Sequence, residues 1–310
     1  MKDRVVVLGA AGFIGSHLCE QLLRKDYKVL GIDAFIDESY AGSIKRENIA
    51  NCLSNPNFEF IEFNLREKIS PSFFRDDDVV INEAAMPGLP LSWTKSEFYF
   101  QSNTFIPTNV LSNLNGTRIK KFIQISTSSV YGKFAVGDEN LPLQPISPYG
   151  VSKLAAEYMV ANLCGGLDIP FNTLRYFSVF GPRQRPDMAY SQIIRKSLMG
   201  DDIEIFGDGK QSRTNTYVSD IVAGTIQAID NGIPGEIYNL AGNKSVNLLE
   251  VIEFINAKLG SKSKIKFADP RQGDQRQTEG IFSKASSHLG YLPEVDFWEG
   301  LEMQIKSMSV

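Results

Sequence analysis

The stretch Val5-Val6-Val7-Leu8-Gly9-Ala10-Ala11-Gly12-Phe13-Ile14-Gly15 decides how this chain folds. Its four successive apolar residues read as a strand buried on both faces. Glycines at every third position then read as a tight turn into a helix over Phe13 to Arg24. Glycine has no Cβ, so such a turn lets a pyrophosphate approach the backbone. The helix N-terminus behind it offers unpaired N–H groups and a partial positive charge. A glycine spacing alone is weak evidence. Here a strand precedes it, a helix follows, and Asp33 closes the next apolar run, KVLGID (28–33). A carboxylate at that place accepts from the adenosine ribose hydroxyls and repels a 2′-phosphate, and no Arg or Lys follows in Ala34-Phe35-Ile36. The expected cofactor is therefore NAD rather than NADP, with Gly9, Gly12, Phe13, Ile14, Gly15 and Asp33 around it.

Outward from this motif, FEFIEF (58–63), DVVINEA (78–84), KFIQIS (121–126) and FNTLRYF (171–177) read as further strands. Glu97 to Leu114 and Tyr149 to Leu163 read as helices between them. The alternation predicts an α/β fold, a doubly wound parallel sheet covered by helices on both faces. After Gly181 the pattern is mixed: helices near Ser191 to Met199, Val218 to Ile229 and Leu248 to Leu259, with strands at 203–206 and 236–241. No repeat or long linker separates the two parts. The expected organisation is a dinucleotide domain over 1–178, with later returns near 214–243, and a smaller, interwoven substrate lobe over 179–310.

Composition removes several function classes. The chain has 310 residues, a net charge of −4, a pI near 5.4 and scattered basic residues, so a nucleic-acid partner is not expected. Hydrophobic residues make up 43%, enough for a substantial core. Three cysteines without a close pair fit a reducing compartment, and two histidines make an imidazole metal centre unexpected. The first apolar run is too short for a signal sequence, and no run approaches the roughly 18 residues of a membrane span. A cytoplasmic chain with no membrane partner is expected.

Ser147-Pro148-Tyr149-Gly150-Val151-Ser152-Lys153 sets Tyr149 and Lys153 four residues apart, on one face of a helix. A free tyrosine is only about 0.1% phenolate at neutral pH, and a nearby ammonium raises that fraction. Such a pair can take a proton from a sugar hydroxyl while the same carbon is oxidised. Ile125-Ser126-Thr127-Ser128-Ser129-Val130-Tyr131-Gly132 lies at the carboxyl end of a strand, where parallel sheets place their ligands, and carries hydroxyls suited to orienting that sugar.

The glycine motif, STSSVYG, SPYGVSK, RYFSVFGPRQRPDMAY and FGDGKQSR together resemble extended short-chain dehydrogenase/reductases, the nucleotide-sugar epimerase and dehydratase group. The resemblance runs from residue 4 to about 300 and implies a Rossmann-like fold that holds NAD. It implies Thr127 as the hydroxyl partner of Tyr149, Lys153 on the nicotinamide ribose and Phe177 beside the nicotinamide. Ala84 and Ala85 match a pair beside the adenosine ribose, and Asn103 an asparagine near the cofactor. Ser126, Asn64 and Leu65 belong to the same implied set, with Asn64 standing where an acidic residue near the adenine is common. Pro87, Gly88, Ser128, Ser129, Ser178, Phe206 and Asp274 fall on the sugar-nucleotide side. Helices at 97–114 and 149–163 match those that pair two subunits in relatives, so a homodimer is expected.

Dehydratases of this group resemble Thr-Asp-Glu where this chain has Thr127-Ser128-Ser129. Without a carboxylate there, elimination and decarboxylation lose their acid or base. Oxidation of a hydroxyl-bearing carbon and its reversal remain, the chemistry of an epimerase acting through a 4-keto sugar. Arg213 and Arg271 match arginines that grip the substrate diphosphate, for which a forked guanidinium is suited. Gly181 to Tyr190, GPRQRPDMAY, resembles UDP-glucuronate 4-epimerases and implies Arg185 against the sugar carboxylate. The chain departs from that group at Pro90, where an arginine is usual, at Asn82-Glu83 for His-Leu and at Thr214-Asn215 for Asp-Phe. An epimerase of a neutral UDP-sugar and a dehydrogenase releasing the 4-keto product stay open.

Overall fold

In the computed structural model, which describes residues 2–38 and 40–309, the strands along the chain are β1 (Arg4–Leu8), β2 (Lys28–Asp33), β3 (Phe58–Glu62), β4 (Val79–Asn82), β5 (Lys121–Thr127), β6 (Phe134–Gly137), β7 (Phe171–Tyr176), β8 (Val179–Phe180), β9 (Ile203–Phe206), β10 (Ser212–Thr214), β11 (Thr216–Tyr217), β12 (Ile237–Leu240), β13 (Ser245–Asn247), β14 (Ile265–Ala268) and β15 (Gln277–Gly280). The helices are α1 (Phe13–Arg24), α2 (Gly42–Leu53), α3 (Ser96–Phe100), α4 (Ile106–Ser112), α5 (Pro148–Gly166), α6 (Ala189–Met199), α7 (Val218–Asn231), α8 (Leu248–Leu259), α9 (Ser283–Leu289) and α10 (Phe297–Met308).

Seven strands form one parallel sheet in the order β12-β7-β5-β4-β1-β2-β3. The period of two along β1 shows why its run is apolar throughout. Val5 and Val7 face a core shared with Leu18 and Leu22 of α1 and Ile221 and Val222 of α7, while Val6 and Leu8 face Val110 of α4 and Val160 of α5. Residues on both sides of the pleat are dehydrated, so no polar position is available.

The two parts of the chain exchange elements. β12 returns from the second half to the edge of the seven-stranded sheet beside β7. β6, from the first half, pairs with β15 and completes a four-stranded sheet, β13-β10-β15-β6. β8–β11 and β9–β14 form two smaller ladders.

The helix expected over 97–114 is broken: α3 passes into a π-turn over Gln101–Phe105 before α4, which carries Pro107 in its first turn. The bounds of α1 and α8 coincide with the expected ones. α2 was not anticipated, because GSIKRENIANCL carries no clean apolar stripe. Among the described residues no helix is long and apolar enough to cross a membrane, and no cluster of three or more His, Cys, Asp or Glu could hold a metal. All three cysteines are buried and free.

Candidate active site

The turn after β1 is built for close approach. Gly9 has φ of +81°, and a Cβ there would stand 2.7 Å from the Ala84 nitrogen. A Cβ on Gly15 would lie 2.2 Å from the Gly9 carbonyl oxygen, so α1 can pack against the turn only without one. Gly12 caps α1 with no side-chain hydrogen bond, which leaves the first helical N–H groups to a ligand. The Phe13 side chain is buried and Ile14 packs on the same core; what they offer the turn is backbone. Asp33 closes β2 and accepts from the Ala11 and Phe35 N–H groups at 3.1 and 2.9 Å. Burial raises its pKa, while those bonds and Lys45 oppose the rise. A side-chain-free cradle at a helix N-terminus, closed by a carboxylate, fits a dinucleotide. Gly9, Gly12 and Gly15 would hold its pyrophosphate, Asp33 its ribose, with Ala84 and Ala85 just beyond β4.

α5 presents the reactive groups. Ser147 caps it by accepting from Gly150 N–H at 3.1 Å, and Pro148 takes the first helical position, where its missing N–H costs nothing. Tyr149 thus enters at a defined height beside Thr127 at the end of β5. Burial pushes its phenol up; hydrogen bonding to Thr127 and the positive field of Arg185 pull it down, and Glu83 opposes them. Arg185, a cation that local helix spacing did not point to, thus adds its field to the Tyr149 environment. Lys153 is 2% exposed, and burial lowers its pKa to about 8 against the pull of Glu83 and Glu157. Glu83 was not singled out from sequence. Its carboxylate accepts from Tyr176 Oη at 2.8 Å, and burial raises its pKa to about 7.

Several residues given a ligand role from sequence are otherwise engaged. Ser126 is buried and donates to Glu157. Asn103 is fully buried; it accepts from Met86 N–H at 2.7 Å and donates to Met86 O and Ser152 Oγ, so it braces the loop after β4 against α5. Phe177 is fully buried with Val130, Tyr131, Ala135 and Ala241, because its neighbour Tyr176 takes the opposite direction, toward Glu83. The Leu65 side chain is core, and its carbonyl accepts from Asn109. Asn64 Oδ1 accepts from the Arg66 backbone and side chain. For Ser126, Asn103, Phe177 and Leu65, the side chain serves the scaffold.

On the substrate side, Ser129 N–H donates to Thr127 Oγ1 at 3.2 Å and sets the Ser128–Tyr131 turn. Gln275, which sequence gave no reason to choose, holds that turn by donating to the carbonyls of Ser128 and Gly132 at 3.2 and 2.9 Å. Tyr99 Oη donates to the Pro87 and Gly88 carbonyls at 3.0 and 2.7 Å. Arg185 lies against that loop: a Cβ on Gly88 would be 3.5 Å from its Nη2. Its own partner is Asp187, with Nε–Oδ1 at 3.0 Å and Nη2 on Oδ2. Arg213 donates to the Gln275 carbonyl at 3.3 Å; Asp274 feels both Arg213 and Arg271, and Arg271 stacks on Phe206 at 3.4 Å. Ser178 accepts from Thr216 N–H at 2.8 Å, which fixes β8 beside β11.

Comparison with known proteins identifies the family. The profile of the NAD dependent epimerase/dehydratase family matches residues 5–241. The chain is 39% identical to an uncharacterized UDP-glucose epimerase, YtcB, of Bacillus subtilis (strain 168), over 99% of this chain and 98% of the relative. It superposes with a TM-score of 0.94 on a UDP-glucuronic acid 4-epimerase from Bacillus cereus solved with UDP-glucuronic acid and NAD, at 38% identity and 99% coverage of both chains. MoeE5, solved with NAD and either UDP-glucose or UDP-glucuronic acid, matches with a TM-score of 0.88 at 30% identity over 99% of both chains. The chain belongs to the NAD-dependent epimerase/dehydratase family.

Proposed function

We propose that the chain is a UDP-sugar 4-epimerase that interconverts UDP-glucuronate and UDP-galacturonate through a 4-keto intermediate. The observation that carries the uronate reading is Arg185: 7% exposed, against Gly88, and close enough to Tyr149 to lower its pKa. NAD, when bound, supplies the oxidation of the sugar carbon and its reversal. Tyr149, assisted by Thr127, takes the C4 hydroxyl proton and returns it after the ketone has turned over. Lys153 orients the cofactor ribose. Ser128 and Ser129 line the sugar, and Arg213, Arg271, Phe206, Asp274 and Ser178 take the nucleotide diphosphate and base. A 4-keto uronate is a β-keto acid prone to lose carbon dioxide, and a guanidinium fixed on the carboxylate disfavours that loss.

Purified protein supplied with UDP-glucuronate is expected to give UDP-galacturonate, read by NMR, with no build-up of reduced NAD by absorbance. Stoichiometric reduced NAD would make it a dehydrogenase instead. Arg185→Ala is expected to lose about 10- to 100-fold in uronate turnover, the value of a hydrogen bond to a charged group, and to spare UDP-glucose. Equal loss on both sugars would reduce Arg185 to a brace for its loop. A neutral UDP-sugar is the second reading. It is favoured by Pro90 in the loop after β4, where an arginine is usual, and by the carboxylate already on Arg185.

The subunit pairing expected from sequence stands as part of this proposal. Phe100 and Phe105 near the π-turn, and Val151, Tyr158 and Met159 on α5, are 39–58% exposed. A homodimer would cover them, and sedimentation of wild type against Tyr158→Glu tests it. The buried free cysteines suit a reducing compartment such as the cytoplasm.

A further inference from the structure

We infer that Asp187 sets the substrate selectivity of this site by occupying one edge of the Arg185 guanidinium. The inference rests on the proposed role of Arg185 and adds a residue to it. Arginine has five N–H donors in a planar fork. Asp187 takes the side-on edge, Nε to Oδ1 at 3.0 Å and Nη2 to Oδ2. The second Nη2 proton and both on Nη1 remain for a group arriving end-on.

Asp187 is held independently of that fork. Gln192 of α6 donates to the Asp187 carbonyl at 2.9 Å, and Arg195 of the same helix donates to the Pro186 carbonyl at 3.1 Å. On the other flank, His17 of α1 contacts the Pro182 carbonyl at 3.0 Å, and Arg183 pairs with Glu20 at 2.6 Å. Both ends of the segment are therefore strapped to helices, which fixes the backbone that carries Asp187 beside Arg185.

Two consequences follow from charge. An incoming uronate meets a guanidinium whose charge is already shared with a carboxylate, and it feels that second carboxylate as a like charge. A neutral hydroxymethyl group meets the same donors without that repulsion. Asp187 thus narrows the gap between acidic and neutral sugars. Its side chain is 45% exposed against 8% for Arg185, so water screens the effect without erasing it.

The test is calorimetric titration of NAD-loaded protein with UDP-glucuronate, UDP-glucose and UDP. Asp187→Asn keeps an acceptor for Nε and removes the charge. It is expected to tighten UDP-glucuronate about three- to tenfold and leave UDP-glucose and UDP unchanged. Asp187→Ser provides a second charge-free variant should the first fold poorly. In the double variant with Arg185→Ala the gain is expected to vanish. Unchanged or weaker uronate binding in both single variants, with UDP binding intact, overturns the inference, as does a gain that survives loss of Arg185. Wild type that binds UDP-glucose but no uronate would overturn the uronate reading alone; uronate binding gained by Asp187→Asn in that protein would still support the role of Asp187.

Discussion

Two arginine–carboxylate pairs, Arg175–Glu157 and Arg185–Asp187, have nearly the same local geometry. Arg175 grips Glu157 side-on, Nε–Oε1 at 3.0 Å and Nη2–Oε2 at 2.7 Å, as Arg185 grips Asp187. What differs is the outer edge. Arg175 Nη1 donates to Tyr131 Oη at 2.9 Å, Tyr131 donates to Asn239, and Glu157 also accepts from Ser126. Both partners are 5% exposed or less. All three guanidinium nitrogens donate to protein, so this pair ties β5, α5, β7 and β12 together. Among the described residues Arg185 has no hydrogen-bond partner at Nη1, and its carboxylate partner is half in water. The same contact is scaffold where a third protein group takes Nη1, and under the proposed function it is available to substrate where none does. α5 spans both situations: Tyr149, Lys153 and Glu157 recur at every fourth residue, the first in the cleft and the last in the buried pair.

This contrast breaks most visibly at Tyr149. Tyr149→Phe removes a proton carrier and no structural bond of the rear network. Turnover is expected to fall about 10²- to 10⁴-fold, with bound NAD and the unfolding midpoint unchanged. A variant that kept near wild-type turnover would deny Tyr149 its role. Behind the helix the opposite pattern is expected. Arg175→Ala leaves Glu157 buried without its cation, which costs roughly 3–5 kcal/mol in denaturant unfolding. A loss below about 1 kcal/mol would mean the rear pair is no more structural than a surface ion pair.

Glu83 lies between the two regimes and sharpens the comparison through pH. Its carboxyl is raised to about 7 when folded, against about 4.3 in an unfolded chain. Below the lower value both states hold the proton. Between the two values only the folded state does, so folding loses stability as pH rises through that window. Glu83→Gln keeps an acceptor for Tyr176 and removes the titration. Relative to wild type it is expected to be about 2 kcal/mol better off at pH 8 than at pH 5, measured from urea midpoints. The same difference at both values would show that Glu83 is not held neutral by burial.

What was legible in the sequence was what local spacing controls. Gly9, Gly12 and Gly15 lie in one turn, Asp33 at the end of the next strand, and Tyr149 and Lys153 on one helix, each where the sequence predicts it. The bounds of α1, α8 and β9 follow from equally local patterns. Contacts between distant segments were not legible. Gln275 holds a turn 147 residues away, and Arg185 adds its positive field at Tyr149 from a loop far along the chain. Resemblance gives positions but not side-chain directions: the Phe177 and Ser126 side chains pack into the scaffold, a direction the sequence does not show. The adjacent residues turn the other way: Tyr176 bonds Glu83 and Thr225, and Thr127 meets Tyr149.

The mildest departure is expected at the entrance of α5. Ser147 accepts one backbone N–H, and its loss in Ser147→Ala costs about 1 kcal/mol in unfolding. Pro148 still fixes the first helical residue, and Glu157 still anchors the helix two turns further on through Arg175. Tyr149 should therefore keep its height beside Thr127, and turnover should fall by less than about tenfold. A drop as deep as that of Tyr149→Phe would place the aim of the phenol in the cap. The rear ion pair would then stabilise α5 without positioning its reactive end.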